Sequence, residues 1–451
     1  MKIINKIFNK FNFSTNRRKI FSNIYWAVVG KVVNISSGLL VGIFVARYLG
    51  PEEYGLMNYV ISYVALFSIL ATFGFDNIEV RELARRSYPK EQILGTALYL
   101  RFFFATATIL LIIITLLLFE PDHFTFWMII VYSLSLIFNT FAIIRNYFTS
   151  IVFNEYIVKT EITRTIIGAL IKIGLLLVKA PLEWFIISST FDFFIIASGY
   201  IYSYRKKVSH IKSWSFKKEI AFYQIKESFP LLLSGAAIII YQKIDQIMIR
   251  SIIDNKAVGQ FAVAAKFAEF IIFIPGIIAQ TITPLLVQAR EENQKLYELK
   301  RQQFMDVMVW GAIGLSLATS LSAKIIITVL YGHAYNEAIP VLQIMAWKAA
   351  FASFLLVSGQ IIIIQNLQRF AVIRNIIGCL VNVILNFVVI PKWGIIGAAW
   401  TAIVTFAVAG YFSHLVIKPY REIFKIQTDS ILKGYLRIPK ILTKKNENEE
   451  N

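Results

Sequence analysis

Residues 46–60, ARYLGPEEYGLMNYV, end one long apolar stretch and begin the next within a few positions. Gly50 tolerates backbone angles that side chains forbid, and Pro51 has no amide hydrogen, so a helix running through 20–46 stops here. Glu52 and Glu53 then open the following helix, where the helix dipole favours negative charge. The same event recurs along the chain: apolar runs near twenty residues alternate with short polar connections, and a run of that length crosses about 30 Å of hydrocarbon. With 57% hydrophobic and 16% charged residues, against about 45–50% and about 25% in soluble domains, the chain reads as an all-α polytopic membrane protein.

Twelve such spans are expected, near 20–46, 54–75, 93–119, 124–149, 160–178, 182–204, 228–253, 258–287, 304–330, 338–364, 370–390 and 394–417. Before them, 1–19 spaces Lys2, Lys6 and Lys10 among Ile and Phe, which reads equally as a basic amphipathic segment on the inner leaflet or as a disordered tail whose charges fix topology. The first apolar stretch is too long for the core of a signal peptide and is read as retained. Residues 205–226 carry seven basic residues and divide an N-lobe, 20–204, from a C-lobe, 227–417. Residues 418–451 read as a polar tail, its KKNENEEN end disordered. Each lobe holds an even number of helices, so a repeat between them is parallel and both termini are cytoplasmic. Residues 50–55 then correspond to 254–259, and Pro181 with Trp184 to Pro391 with Trp393, an offset of about 204 to 210 residues. Two parallel six-helix lobes around a central cavity is a recurrent transporter layout.

The net charge of +19 has a topological cause. Most basic residues fall in connections assigned to the cytoplasm, among them Arg81, Arg85, Arg86 and Lys90, as the positive-inside bias requires. No basic cluster is interleaved with stacking aromatics on a soluble fold, so nucleic acid is excluded as a partner. Cys379 stands alone, which excludes an intramolecular disulfide. His123, His210, His333 and His414 are scattered without HExxH spacing, and no phosphate loop GxxxxGK[ST] occurs. The outer connections are too short for a catalytic domain. No enzyme, metal or cofactor is expected.

Charges inside apolar spans cost at least about 2.5–3.5 kcal/mol each at the bilayer centre and normally face protein or water. The cations are Lys31, Arg101, Lys172, Lys243, Lys266 and Lys348, with Arg47 and Arg250 near outer helix ends; the acids are Asp192, Asp245, Glu269 and Asp306. Cations are in excess, so a cavity lined by them attracts anions, which points to a transporter of anionic amphiphiles. The competing explanation is internal pairing, as for Lys266 and Glu269 three residues apart, or snorkelling near helix ends. Asp192, Glu269 and Asp306 are candidates to carry a coupling proton or sodium ion. Pro275-Gly276, Pro284 and Pro340 are candidate bending points.

Arg47, the run LGPEEYG at 49–55, Gly74, the run RELA at 81–84 and PKWGIIGAAW at 391–400 together resemble the Wzx-type polysaccharide flippases of the multidrug/oligosaccharidyl-lipid/polysaccharide exporter superfamily. The resemblance implies a flippase that moves undecaprenyl-pyrophosphate-linked oligosaccharide, an O-antigen or capsule repeat unit, from the inner to the outer leaflet of a bacterial cytoplasmic membrane by alternating access. Membrane lipids, a coupling ion and polysaccharide polymerase machinery are the implied partners. Arg47 and Arg81 match basic positions of that family, and Lys31, Arg47, Arg101, Lys243, Arg250, Lys266 and Lys348 form the expected cationic substrate site. Three alternatives stand beside it. A related drug or organic-cation antiporter is expected to favour acidic or neutral cavity residues, and a peptidoglycan-precursor flippase to carry two more helices. A polysaccharide polymerase or ligase is expected to show a sizeable outer loop.

Overall fold

The computed structural model describes residues 15–447; most of the expected amphipathic segment 1–19, and the side chain of Lys31, lie outside the described residues. No strand occurs among those described. The helices are α1 Thr15–Thr72, α2 Phe75–Arg85, α3 Lys90–Phe119, α4 His123–Ser133, α5 Ser135–Asn139, α6 Ala142–Ser150, α7 Asn154–Leu177 and α8 Leu182–Lys207. They continue as α9 Lys218–Ile252, α10 Asn255–Glu292, α11 Gln294–Leu330, α12 Ala338–Met345, α13 Lys348–Ile364, α14 Ala371–Ala407, α15 Ser413–Val416 and α16 Arg421–Glu447.

Among the described residues nine segments are long and apolar enough to cross a membrane. Two of them, Ser37–Arg85 and Gln368–Val416, fold back at a glycine: Gly50 has φ 70° and Gly394 has φ 57°, in the left-handed region that side chains avoid. The reversal is visible in the contacts. Tyr335 donates from Oη to the Ala46 carbonyl at 2.8 Å and sets its ring edge-on to Tyr54 at 6.4 Å, although Ala46 and Tyr54 would stand about 12 Å apart along a straight helix. At the second reversal a Cβ on Gly397 would lie 2.8 Å from the Val389 carbonyl oxygen. Helix α7 is 24 residues long but carries Lys159, Glu161, Arg164 and Lys172, and is too charged to count with the nine. Leu117, Leu177, Leu321 and Phe387 are exposed on helix flanks, a surface made for hydrocarbon rather than water.

Two spans expected to be continuous stay single apolar segments, His123–Ser150 and Ala338–Ile364, but tighten locally. Bonds of the i→i−3 type replace the usual ladder at Thr140–Phe141, between α5 and α6, and at Ala346–Trp347, between α12 and α13, with the backbone still in the right-handed helical region. Those turns lie about 206 residues apart, within the repeat offset. Conversely, α10 stays helical through Pro275 and Pro284. Pro340 sits in the first turn of α12, where a missing amide hydrogen costs nothing.

The chain forms two compact units, one comprising the described residues up to Gly42 with Phe67–Leu232, the other Ile43–Leu66 with the chain from Leu233 onward. The first has a core around Leu83, Ile93, Ile143, Phe148 and Tyr204; the second is centred on Met305, Val309, Val357, Ile361 and Tyr420. The hairpin 43–66 thus packs with helices of the later half of the sequence. Its contact with α10 is reciprocal: a Cβ on Gly55 would fall 1.8 Å from the Asn255 carbonyl oxygen, and one on Gly259 would fall 2.0 Å from that of Pro51. Residue 55 faces 255 while 259 faces 51, the relation that a twofold axis between the matched segments 50–55 and 254–259 produces.

Residues 418–451, expected as a polar tail, contain the 27-residue helix α16, and their last four positions lie outside the described residues. Helix α16 docks on α11 through Asp306, which accepts from Arg437 Nε and Nη2 at 2.6 and 2.8 Å and from Ser430 Oγ at 2.5 Å. Trp310 Nε1 donates to the Ser430 carbonyl at 2.9 Å. At its other end Gln427 donates to the Gly410 carbonyl, 2.8 Å away, inside a π turn at Val408–Phe412 whose wider winding alters the usual carbonyl pairing. Asp306 is fully buried and Arg437 only partly so. Arg437→Ala is therefore expected to loosen α16 by about 2–3 kcal/mol, below the range for a fully buried pair. Amide hydrogen exchange across Arg421–Glu447 checks it, as a rise confined to that helix.

Candidate functional site: charged side chains inside the helices

In the first unit Arg101 and Lys172 are each held by an acid, while Arg164 of α7 donates from Nη2 to Asn34 Oδ1 at 2.6 Å. Arg101 of α3 is 1% exposed, and its Nε and Nη2 donate to Glu79 at 2.7 and 2.8 Å while Nη2 also reaches Asp76 at 2.6 Å. Asn146 of α6 donates to the same two carboxylates at 2.9 and 2.7 Å. A guanidinium fork between two carboxylates, closed by an amide, ties α2, α3 and α6 together and leaves Arg101 neutralised. Beside it lies a cavity of 250 Å³ reached by Arg145, Glu161 and Tyr200. Lys172 of α7 meets Asp192 of α8 at 2.6 Å. Gly168 makes room for that pair, since a Cβ there would lie 2.1 Å from Asp192 Oδ1.

The second unit is different. Lys348 of α13 is buried, with its Nζ 4.6 Å from the centre of the Phe406 ring and no carboxylate within ion-pair distance among the described residues. Lys243 of α9 stands 3.9 Å from Glu269 of α10. Pairing of Glu269 with Lys266 was the competing explanation for these charges; the ion pair that forms is with Lys243 of the neighbouring helix. Lys266 is half-buried. Arg250 lies over the Tyr59 ring at 4.2 Å and donates to Asn255 Oδ1 at 2.9 Å. Arg47 is exposed near Gly332. Of the expected coupling acids, Asp192 and Asp306 are each closed in an ion pair, and Glu269 is about half exposed.

An arrangement that sequence reasoning missed lies around Asp245 of α9, which is 4% exposed. Asn382 and Asn386 of α14 donate to its Oδ1 at 3.1 and 2.6 Å. Asn386 Oδ1 and Thr401 Oγ1 are buried without a hydrogen-bond partner among the described residues. Gly378 of the first arm of α14 faces Ala409 and, farther off, Thr405 beyond the reversal, so in antiparallel register Thr401 comes level with Asn382 to Asn386. The signal was present as two Asn four residues apart in an otherwise apolar span. A carboxylate among neutral oxygen donors, away from water, is a set that suits a hard cation.

The sequence matches the family described as "Polysaccharide biosynthesis protein" over residues 20–290. The "Putative O-antigen transporter" of Escherichia coli strain K12 is 22% identical over 419 residues, covering 87% of this chain and 95% of that protein. Among solved structures, the lipid II flippase MurJ in an inward closed conformation superposes with a TM-score of 0.72 at 16% identity, over 92% of this chain and 93% of that one. An inward-facing multidrug resistance transporter of the MATE family superposes with a TM-score of 0.65 at 15% identity, over 89% of this chain and 99% of that one. At such identities these two structures establish a shared fold. The family match spans more than half of the 451 residues, and the chain belongs to the polysaccharide biosynthesis protein family.

Proposed function

We propose that this protein is a flippase that carries a lipid-linked oligosaccharide, held by its pyrophosphate, from the inner to the outer leaflet of a bacterial cytoplasmic membrane. Counting each kinked segment as two arms and α7 as one more crossing takes the nine apolar segments to twelve, and the proposal is that these form two parallel lobes of six. Both termini then lie on the cytoplasmic side with the basic segment 205–226. The observation that carries the reading is the charge of the second unit: Lys243, Lys266 and Lys348 stand against Asp245 and Glu269, a positive interior suited to a pyrophosphate. Arg101 and Lys172, already matched by acids, hold the first unit together. Lys243, Lys266, Lys348 and Arg250, with Arg47 at the outer end, form the anion path. The same excess of cations disfavours an organic-cation antiporter. The protein moves its substrate without catalysing a reaction on it and hands it to polymerase machinery outside.

Lys243→Glu with Lys348→Glu is expected to lower translocation by about 100-fold or more, the loss of two charge-assisted contacts. Neutralising Lys172 and Asp192 together, as Met and Leu, should leave it within a few-fold. Equal losses in both double variants would remove the anion path from the account.

Asp245, with Asn382, Asn386 and Thr401, is the proposed seat of the coupling sodium ion in place of Asp192, Glu269 and Asp306. Asp245→Asn should abolish the dependence of transport on an imposed sodium gradient. A gradient response that survives in Asp245→Asn and disappears in Glu269→Gln would reassign the site.

A further inference from the structure

Helices α7 and α8 enclose a groove of 590 Å³ at the end where both carry lysines. Its mouth holds Lys159, Lys206 and Lys207 against the single carboxylate of Glu155, which Lys159 takes at 2.5 Å. Lys206 reaches the Tyr202 hydroxyl at 3.2 Å and lies 5.4 Å from that ring, and Lys207 lies 5.6 Å from the Tyr156 ring. Neither of these two ammonium groups has an ion pair among the described residues, so the mouth carries two uncompensated charges between two aromatic walls. Gly199 draws the helices together beneath it, since a Cβ there would lie 2.6 Å from Thr160 Cγ2, and Ile195 lines the deep end.

What continues inward from the groove identifies its occupant. The α7 positions that follow Lys159 and Thr163 on the same face are Ile166, Leu170 and Ile173, and on α8 Phe191 and Phe194 precede Ile195; all five are exposed. A charged mouth thus stands over an apolar strip along the two helices, the pattern of an anionic head with hydrocarbon chains. A soluble anion would use the mouth and leave the strip without a function. The basic segment 205–226, which begins at this mouth, places it at the inner leaflet.

We propose that this groove binds an anionic phospholipid of the inner leaflet. Its phosphate sits at Lys206 and Lys207, its glycerol between Tyr156 and Tyr202, and its chains along Ile166, Leu170 and Ile173. The site is separate from the anion path of the second unit and does not depend on the flippase reading.

Native mass spectrometry of the full chain in detergent, titrated with phosphatidylglycerol or with phosphatidylcholine of the same chains, tests it. The wild type should retain one phosphatidylglycerol about thirtyfold more tightly than phosphatidylcholine, the effect of two lysines at a membrane surface. K206Q/K207Q should remove that preference. T163W, which fills the groove and keeps every lysine, should remove it as well, whereas K212Q/K218Q, which loses the same charge outside the groove, should change it less than about twofold. The proposal is overturned if K212Q/K218Q costs as much as K206Q/K207Q, or if T163W retains the lipid. It is also overturned if millimolar inorganic phosphate displaces phosphatidylglycerol from the wild type, which would make the mouth a small-anion site.

Discussion

Gly259→Val is expected to abolish translocation while the protein still inserts and purifies as a folded species. A Cβ at this position would stand 2.0 Å from the Pro51 carbonyl oxygen, and backbone cannot move aside as the tip of a side chain can. The start of α10 and the second arm of α1 must then separate by an ångström or more, which opens the reciprocal contact at Gly55 and Gly259. On the proposed alternating-access reading this contact closes one end of the path while the other is open. Glu52→Cys with Lys256→Cys reports on the seal: the pair should cross-link in the otherwise unaltered chain and fail to do so once Gly259 is Val. Full cross-linking and normal transport in Gly259→Val would show that the contact is incidental.

The largest loss of stability is expected from Glu79→Ala. Glu79 is fully buried and Arg101 nearly so, and without Glu79 the guanidinium keeps only Asp76, whose side chain is about half exposed. Breaking a buried pair from one side costs about 3–5 kcal/mol, because the remaining charge stays desolvated. Thermal unfolding in detergent should fall by about 10 °C. Removing both charges, as Glu79→Leu with Arg101→Met, should restore most of that loss, since an apolar pair of similar volume often replaces a buried ion pair without penalty. If the double variant is as unstable as Glu79→Ala, the cluster acts through shape rather than charge.

The membrane class and the reversal at Gly50 were legible in the sequence because they follow from run length and from the two residue types that break helices. Partners were not. Arg101 finds Glu79 and Asp76 across 22 and 25 residues, on a short polar helix that reads as a connecting loop. Glu269 turns to Lys243 on a neighbouring helix, which no spacing along α10 reveals. Helix α16 reads as a tail because its composition is polar, and what fixes it is an ion pair between residues 131 positions apart, Asp306 and Arg437. The tightened turns at Thr140–Phe141 and Ala346–Trp347 carry neither Gly nor Pro, so only their common offset marks them. Asn382 and Asn386 were passed over because, being neutral, they do not stand out in a search for charges.

The measurement that tests the central claim most directly uses the purified protein in sealed vesicles of known orientation, loaded on the inner-leaflet side with a lipid-linked oligosaccharide. An impermeant sugar-modifying enzyme then reads the opposite leaflet. The account predicts that the modifiable fraction rises with wild-type protein and stays at the protein-free level with the Lys243→Glu, Lys348→Glu variant. A wild-type signal no higher than that of protein-free vesicles would contradict it.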